Sequence, residues 1–296
     1  MIMKHNVQVT ILLLVFFVIA QILGLTFLGL AMDVKQSETG EYNITYQDTA
    51  VGERPDFEPE TSFYSIIIAI ALGTGLALLL IKFKLMKIWK IWFFLAVFAS
   101  ISISLGTFLP KLLVFAFAAT LAILKLFRPN IITQNLSELL IYPGIAIIFV
   151  PMLNVFWMFM LLIAISLYDM YAVWKSKHMI KMALFQSKSQ TFAGLLIPYQ
   201  KVKSQKNSKK KTETVTAILG GGDIAFPMLF AGTIMTDLVL KGVPKFIAGL
   251  QASSIIIGAT IALTLLFFKG KEDRFYPAMP FLTLGCVLGY LFLLIL

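Results

Sequence analysis

Long apolar runs fill most of the chain, separated by short polar turns; the first is VQVTILLLVFFVIAQILGLTFLGLAM. The runs are continuous over about twenty residues, which is what a helix needs to cross a bilayer. Membrane barrels would instead alternate apolar and polar residues over about ten positions. The pattern predicts nine spans, at 7–32, 62–81, 91–109, 112–127, 136–150, 152–174, 214–235, 246–268 and 276–296. Pro143 falls inside the fifth, and Pro151 with Asn154 separates the fifth from the sixth. The expected fold class is all-α, a polytopic membrane protein of nine transmembrane helices. The first run is too long for a signal-peptide core and precedes no clear small-x-small cleavage site, so it reads as a retained span.

Composition agrees with the pattern. Of 296 residues, 59% are hydrophobic and 14% charged, and the mean hydropathy is +0.88. Soluble domains carry about one quarter charged residues. The net charge of +10 would suggest nucleic acid in a soluble protein. Here the basic residues sit in loops between spans, where anionic headgroups are the expected partner and nucleic acid is not. With the N-terminus cytoplasmic, twenty of the 25 Lys and Arg residues fall on the cytoplasmic side. That bias places the C-terminus outside.

The chain divides into three parts. Residues 1–174 hold six spans and an acidic outer loop, 33–61, with eight of the fifteen carboxylates. Asn43-Ile44-Thr45 in that loop fits a short glycosylation sequon. Residues 175–213 form a basic cytoplasmic loop, including KVKSQKNSKKK, that is expected to be partly disordered. Residues 214–296 hold the last three spans, and no internal repeat is evident.

Two acidic residues break the apolar pattern: Asp169 near the end of the sixth run and Asp223 inside the seventh. An ionisable group in hydrocarbon costs several kcal/mol and marks a functional site by default. Neither run contains a Lys, Arg or His to pair with its aspartate. At about 1.5 Å per helical residue, Asp169 lies roughly 9 Å and Asp223 roughly 15 Å from the cytoplasmic boundary. Two carboxyls sharing a site cannot both ionise cheaply, so the pair holds one proton. The ionised member takes a proton from water while the protonated member polarises a peptide carbonyl. Such a pair titrates as a unit, which leaves the acid and base roles unassigned.

Gly220, Gly221 and Gly222 precede Asp223, and Pro227 follows it. Each glycine weakens a helix by about 1 kcal/mol, and Pro227 cannot donate to the Asp223 carbonyl. Local unwinding is expected, in a place where freed backbone must line protein or water. A glycine seam for helix packing is the alternative.

Tyr168-Asp169, Gly220-Gly221-Gly222-Asp223 and Pro277-Ala278-Met279, in this order, resemble the Y-D, G-x-G-D and P-A-L motifs of the presenilin and signal-peptide-peptidase family of intramembrane aspartyl proteases. The likeness covers nearly the whole chain, and the N-in orientation makes an archaeal or bacterial presenilin homologue the nearer match. Met279 departs from the family's leucine but keeps its volume and apolarity. The resemblance implies that Asp169 and Asp223 are the catalytic pair of an aspartic endopeptidase of the cell membrane. It implies that the Pro277 segment lies beside them and helps hold the substrate, a transmembrane-helix protein. Residues implied to contact substrate are Gly220, Gly221, Gly222, Pro277, Ala278, Met279 and Tyr168.

Other readings follow from the same residues. A prepilin-type leader peptidase shares G-x-G-D, and a proton or cation pathway would also use intramembrane carboxyls and broken helices. No metal or organic cofactor is expected. The only cysteine is Cys286, and His5 and His178 are too far apart for an H-E-x-x-H site. Tyr168 reads equally as a partner of the pair or as an interfacial anchor. Glu138 reads as solvated at the mouth of the fifth span, and His178 as facing headgroups. Homo-oligomer formation stays open.

Overall fold

The computed structural model describes residues 7–38, 40–53, 58–176, 182, 185–186, 191–203, 211–269 and 276–295. His5, His178, Lys271, Arg274 and residues 204–210 of the basic loop lie outside the described residues. The long helices are α1 (Val7–Ala31), α2 (Pro59–Lys82), α3 (Met86–Leu105), α4 (Lys111–Phe127), α5 (Ile131–Phe149), α6 (Val155–Met170), α7 (Gly221–Leu240), α8 (Lys245–Lys269) and α9 (Met279–Ile295). Among the described residues, seven helices are long and apolar enough to cross a membrane unaided. Helix α6 reaches that length through the π-helical turn that carries it on to Lys175, whereas α4 and α9, at 17 residues each, stay shorter. The protein is an integral membrane protein, and its outer surface is apolar, as at Leu112 and Phe246, which are more than 80% exposed.

The helix starts follow local chemistry. Asn130 and Thr133 form a capping box at α5. A 3₁₀ turn at Val150–Met152 carries Pro151, and Asn154 then caps α6 by accepting from the Trp157 amide at 2.9 Å. A π-helical turn, Tyr171–Lys175, follows α6 directly.

The architecture is not purely helical. Strands β1 (Met32–Gln36) and β2 (Tyr42–Tyr46) form an antiparallel hairpin in the acidic loop, with Val34 opposite Ile44. Lys245 donates to the Met32 carbonyl at 2.9 Å, tying this hairpin to the start of α8. Asn43 is exposed on β2. A second antiparallel hairpin joins β3 (Gly194–Lys203) to β4 (Lys211–Gly220), with Gly194 opposite Gly220. The predicted seventh span is therefore corrected: residues 214–220 are strand, and α7 opens only at Gly221. Thr, Val and Ile fill TVTAIL, and β-branched residues in a short apolar run fit a strand as well as a helix. The helical depth assigned to Asp223 does not apply, because a strand rises about 3.3 Å per residue.

Helix α7 is the centre of the bundle, packed by α1, α5, α6, α8 and α9. It has the most buried apolar stretch of the seven spans, 61% against 17% for α2. Small residues let the backbones approach. A methyl on Gly144 of α5 would overlap the Ser100 carbonyl of α3. A methyl on Gly285 of α9 would lie 2.5 Å from the Gly258 carbonyl of α8, and one on Gly289 would lie 2.5 Å from the Ser254 carbonyl. Gly73 of α2 has nothing within 4 Å of the same position.

Gly285→Ala should lower the unfolding temperature in detergent, because overpacking costs about 1–3 kcal/mol. Gly73→Ala should leave it unchanged or raise it, gaining about 0.5–1 kcal/mol of helix propensity.

Candidate active site

Asp169 and Asp223 face one cavity from two elements. Asp169 is the penultimate residue of α6, one residue before the π-helical turn, and is 7% exposed. Asp223 lies in the first turn of α7, half-buried, near the positive end of that helix. Both line one cavity of about 620 Å³, bounded by α2, α3, α5, α6, α7 and Met279.

The glycines take the conformation that Asp223 requires. Gly220 is extended (φ −64°, ψ 146°) and precedes α7 as its N-cap, so the chain turns from strand to helix there. A Cβ on Gly220 would stand 3.2 Å from the Asp223 Oδ2, and one on Gly221 would stand 3.4 Å from the Tyr142 hydroxyl oxygen. The expected unwinding is thus a strand-to-helix switch rather than a loosened helix. Gly220, Gly221 and Gly222 all line the cavity.

The Pro277-Ala278-Met279 segment bonds to one carboxyl and shares a cavity with the other. The Met279 amide donates to Asp169 Oδ2 at 3.1 Å. Met279 lines the large cavity. Ala278 lines a second, smaller one of about 80 Å³, together with Ile218, Leu219, Asp223 and Tyr276. Pro277 is buried beside them and lines neither. Tyr168 lines the large cavity, and its hydroxyl lies 3.1 Å from the Thr74 hydroxyl, which ties α6 to α2.

Residues that sequence reasoning passed over surround this site. Gln21, fully buried on α1, donates to the Ile224 carbonyl at 2.8 Å, one residue past Asp223. Asn135 of α5 donates to the Leu196 carbonyl and accepts from the Leu196 amide, both at 2.9 Å. Gln134 donates to the Phe192 and Gly194 carbonyls at 2.9 and 3.0 Å. Trp89 donates to the Thr191 hydroxyl at 2.6 Å. Glu138 is not solvated: it is 1% exposed, lines the large cavity and pairs with Lys125, itself buried. A polar residue one turn into an apolar run was the available signal for Glu138.

These contacts occupy the outer edge of β3 at its base, from Gly194 to Pro198. Both backbone groups of Leu196 are taken by Asn135, and Pro198, two residues on, has no N–H to offer. Antiparallel alternation then turns Leu195 and Ile197 toward β4, and turns Thr216, Ile218 and Gly220 away from β3. The Gly221 amide donates to the Ala193 carbonyl at 3.2 Å and continues this alternation.

Residues 14–296 match the family model described as signal-peptide peptidase, presenilin aspartyl protease. The chain belongs to this family. Its fold is similar to two solved structures of a presenilin family intramembrane aspartate protease. In the C222 crystal form the TM-score is 0.60 at 15% identity, covering 96% of this chain and 97% of the other. In the P2 form it is 0.58 at 16% identity, covering 96% of each. Among curated proteins none matches the sequence. Among the described residues, no group of three or more His, Cys, Asp or Glu is placed to hold a metal ion.

Asn135→Leu should leave both Leu196 backbone groups unpaired, at a cost of about 1–3 kcal/mol. Hydrogen exchange of the Leu196 amide should accelerate, while exchange in α8 stays unchanged.

Proposed function

We propose that this protein is an intramembrane aspartic endopeptidase that hydrolyses peptide bonds within or near transmembrane helices. The observation that carries the reading is the single cavity that Asp169 and Asp223 share with Gly220, Gly221, Gly222 and Met279. Family membership supports it. In this reading all nine long helices span the cell membrane, with the N-terminus cytoplasmic and the C-terminus outside. The chain then has two 17-residue spans, at the short end of what a bilayer accepts.

The aspartate pair holds one proton. The ionised carboxylate removes a proton from a water molecule, whose oxygen attacks the scissile carbonyl carbon. The protonated carboxyl donates to the carbonyl oxygen as charge develops there. Collapse breaks the C–N bond, and the leaving nitrogen takes up a proton to depart as an amine. The Met279 amide orients the Asp169 carboxylate from the side.

A helical substrate hides its backbone and must unwind before attack. The β4 edge gives the unwound segment a place to bind by strand addition. Thr216, Ile218 and Gly220 direct backbone groups outward there, and the smaller cavity runs between Ile218 and the Tyr276–Ala278 segment up to Asp223. With the β3 edge occupied at the hairpin base, the extended substrate lies on the β4 side, between β4 and the Pro277 segment. Gly220, Gly221 and Gly222 let its backbone pass close to Asp223, and Ala278 and Met279 line its other flank.

The test is cleavage of a reporter transmembrane helix by the purified protein. Asp169→Ala and Asp223→Ala should each reduce turnover by a factor of about 100 or more, as expected for loss of an acid–base group. Wild-type turnover in both variants would refute the reading. Ile218→Pro removes one outward N–H from the β4 edge and none that pairs with β3. It should reduce cleavage about tenfold, the equivalent of one hydrogen bond of about 1.4 kcal/mol.

A further inference from the structure

Lys125 of α4 and Glu138 of α5 form an ion pair in which each side chain is 1% exposed. The Lys125 Nζ also stands 5.7 Å from the centre of the Phe93 ring. Glu138 Oε1 accepts a second hydrogen bond, from Gln134 Nε2 at 3.2 Å. That same Nε2 reaches the Phe192 and Gly194 carbonyls, so its two hydrogens are shared among three acceptors. Gly194 lies opposite Gly220 in the hairpin, and Ala193 accepts from the Gly221 amide. Polar contacts therefore run from Lys125 through Glu138 and Gln134 to the Phe192–Gly194 backbone, and from the Ala193 carbonyl within it to the Gly221 amide, two residues before Asp223.

A buried ion pair is weak evidence for stability, since apolar residues of the same volume often serve as well. Its attested use is to fix one arrangement among several. Here the arrangement is the base of a two-stranded sheet, which is marginal on its own. Glu138 lines the large cavity, but its Oε1 is engaged by Lys125 and Gln134.

We propose that Lys125 and Glu138 are positioning residues for the reaction. The ion pair fixes the Gln134 amide, the amide holds the chain at Phe192 and Gly194, and the hairpin base sets where Gly220 and Asp223 stand opposite Asp169. This rests on the reading of Asp223 as a catalytic residue. It adds a role for a pair of charges that neither the motifs nor the cavity geometry assigns.

The experiment uses the full chain in detergent, with two readouts: kcat and KM on the reporter helix, and hydrogen exchange across 191–224. Glu138→Gln and Lys125→Met each leave one partner of the pair alone, and breaking a buried pair is costly. Each should reduce kcat about tenfold or more at nearly unchanged KM, since a displacement of about 1 Å at a reacting group can cost a hundredfold. Each should also speed exchange at 191–197 and 217–223 but not in α8 and α9. The double variant, E138Q with K125M, leaves no lone charge and keeps an acceptor for Gln134. It should recover at least half of the lost kcat on a logarithmic scale and return exchange toward wild type. Gln134→Leu, which leaves the ion pair intact, should loosen the same segments and reduce kcat in the same way, and it decides the matter if a single charge variant does not fold.

Wild-type exchange at 191–223 in Gln134→Leu would overturn the proposal. A double variant no more active than Glu138→Gln alone would also overturn it, because Glu138 would then act on the reaction through its charge. Should the aspartate variants retain turnover, the protease reading fails separately, and the exchange data still judge whether the pair holds the hairpin.

Discussion

A backbone amide or carbonyl without a partner is costly in a bilayer, and the site is built where the chain must break that rule. Asp223 needs a strand-to-helix switch at Gly220, and Asp169 needs a helix end beside it. Each break frees polar groups inside a hydrocarbon-facing bundle. The protein answers with side chains that imitate backbone. Asn135 supplies both a donor and an acceptor to Leu196, Gln134 serves the Phe192 and Gly194 carbonyls, and Gln21 meets Ile224. The aspartate on α6 is itself satisfied by an amide at the start of α9. Asn135, Gln134 and Gln21 thus all serve one local departure from helical structure.

Packing serves the same end. Helix α7 stands at the middle of the bundle, so its first turn is held from several sides. Gly258 and Gly285 bring α8 and α9 into backbone contact, and α9 begins at Met279, whose amide reaches Asp169. The small-residue seam therefore fixes the approach of α9 to the carboxylate as well as the bundle's density. The tie between the Ser166 and Thr283 hydroxyls, at 2.7 Å, links α6 to α9 one turn deeper.

The long helices were legible because hydropathy is a local property, and the helix break at Pro151 and Asn154 was readable from their chemistry. The two aspartates stood out because a carboxyl in an apolar run is conspicuous against its neighbours, and the fold brings both to the lining of one cavity. The β3–β4 hairpin was not, because TVTAIL is apolar enough to read as the start of a span and its partner strand lies across the basic loop. Glu138 was misread for a related reason. It lies near a segment end, where solvation is the default, and its partner Lys125 is thirteen positions away on another helix. Asn135 and Gln21 carry no sequence signal of their role, since what they satisfy is the backbone of a distant segment. Pattern shows what each segment is. It does not show which unpaired groups another segment will be asked to meet.

The occupied edge at the base of β3 has a consequence for where another chain can pair with the hairpin. With Asn135 on Leu196 and Pro198 beyond it, the base of the hairpin has one free flank, so a strand can pair directly with it only from the β4 side. A membrane packed with hydrophobic helices offers many segments able to unravel and stack. A ribbon bare on both flanks would accept them at either. Near the aspartates, this one offers a single berth.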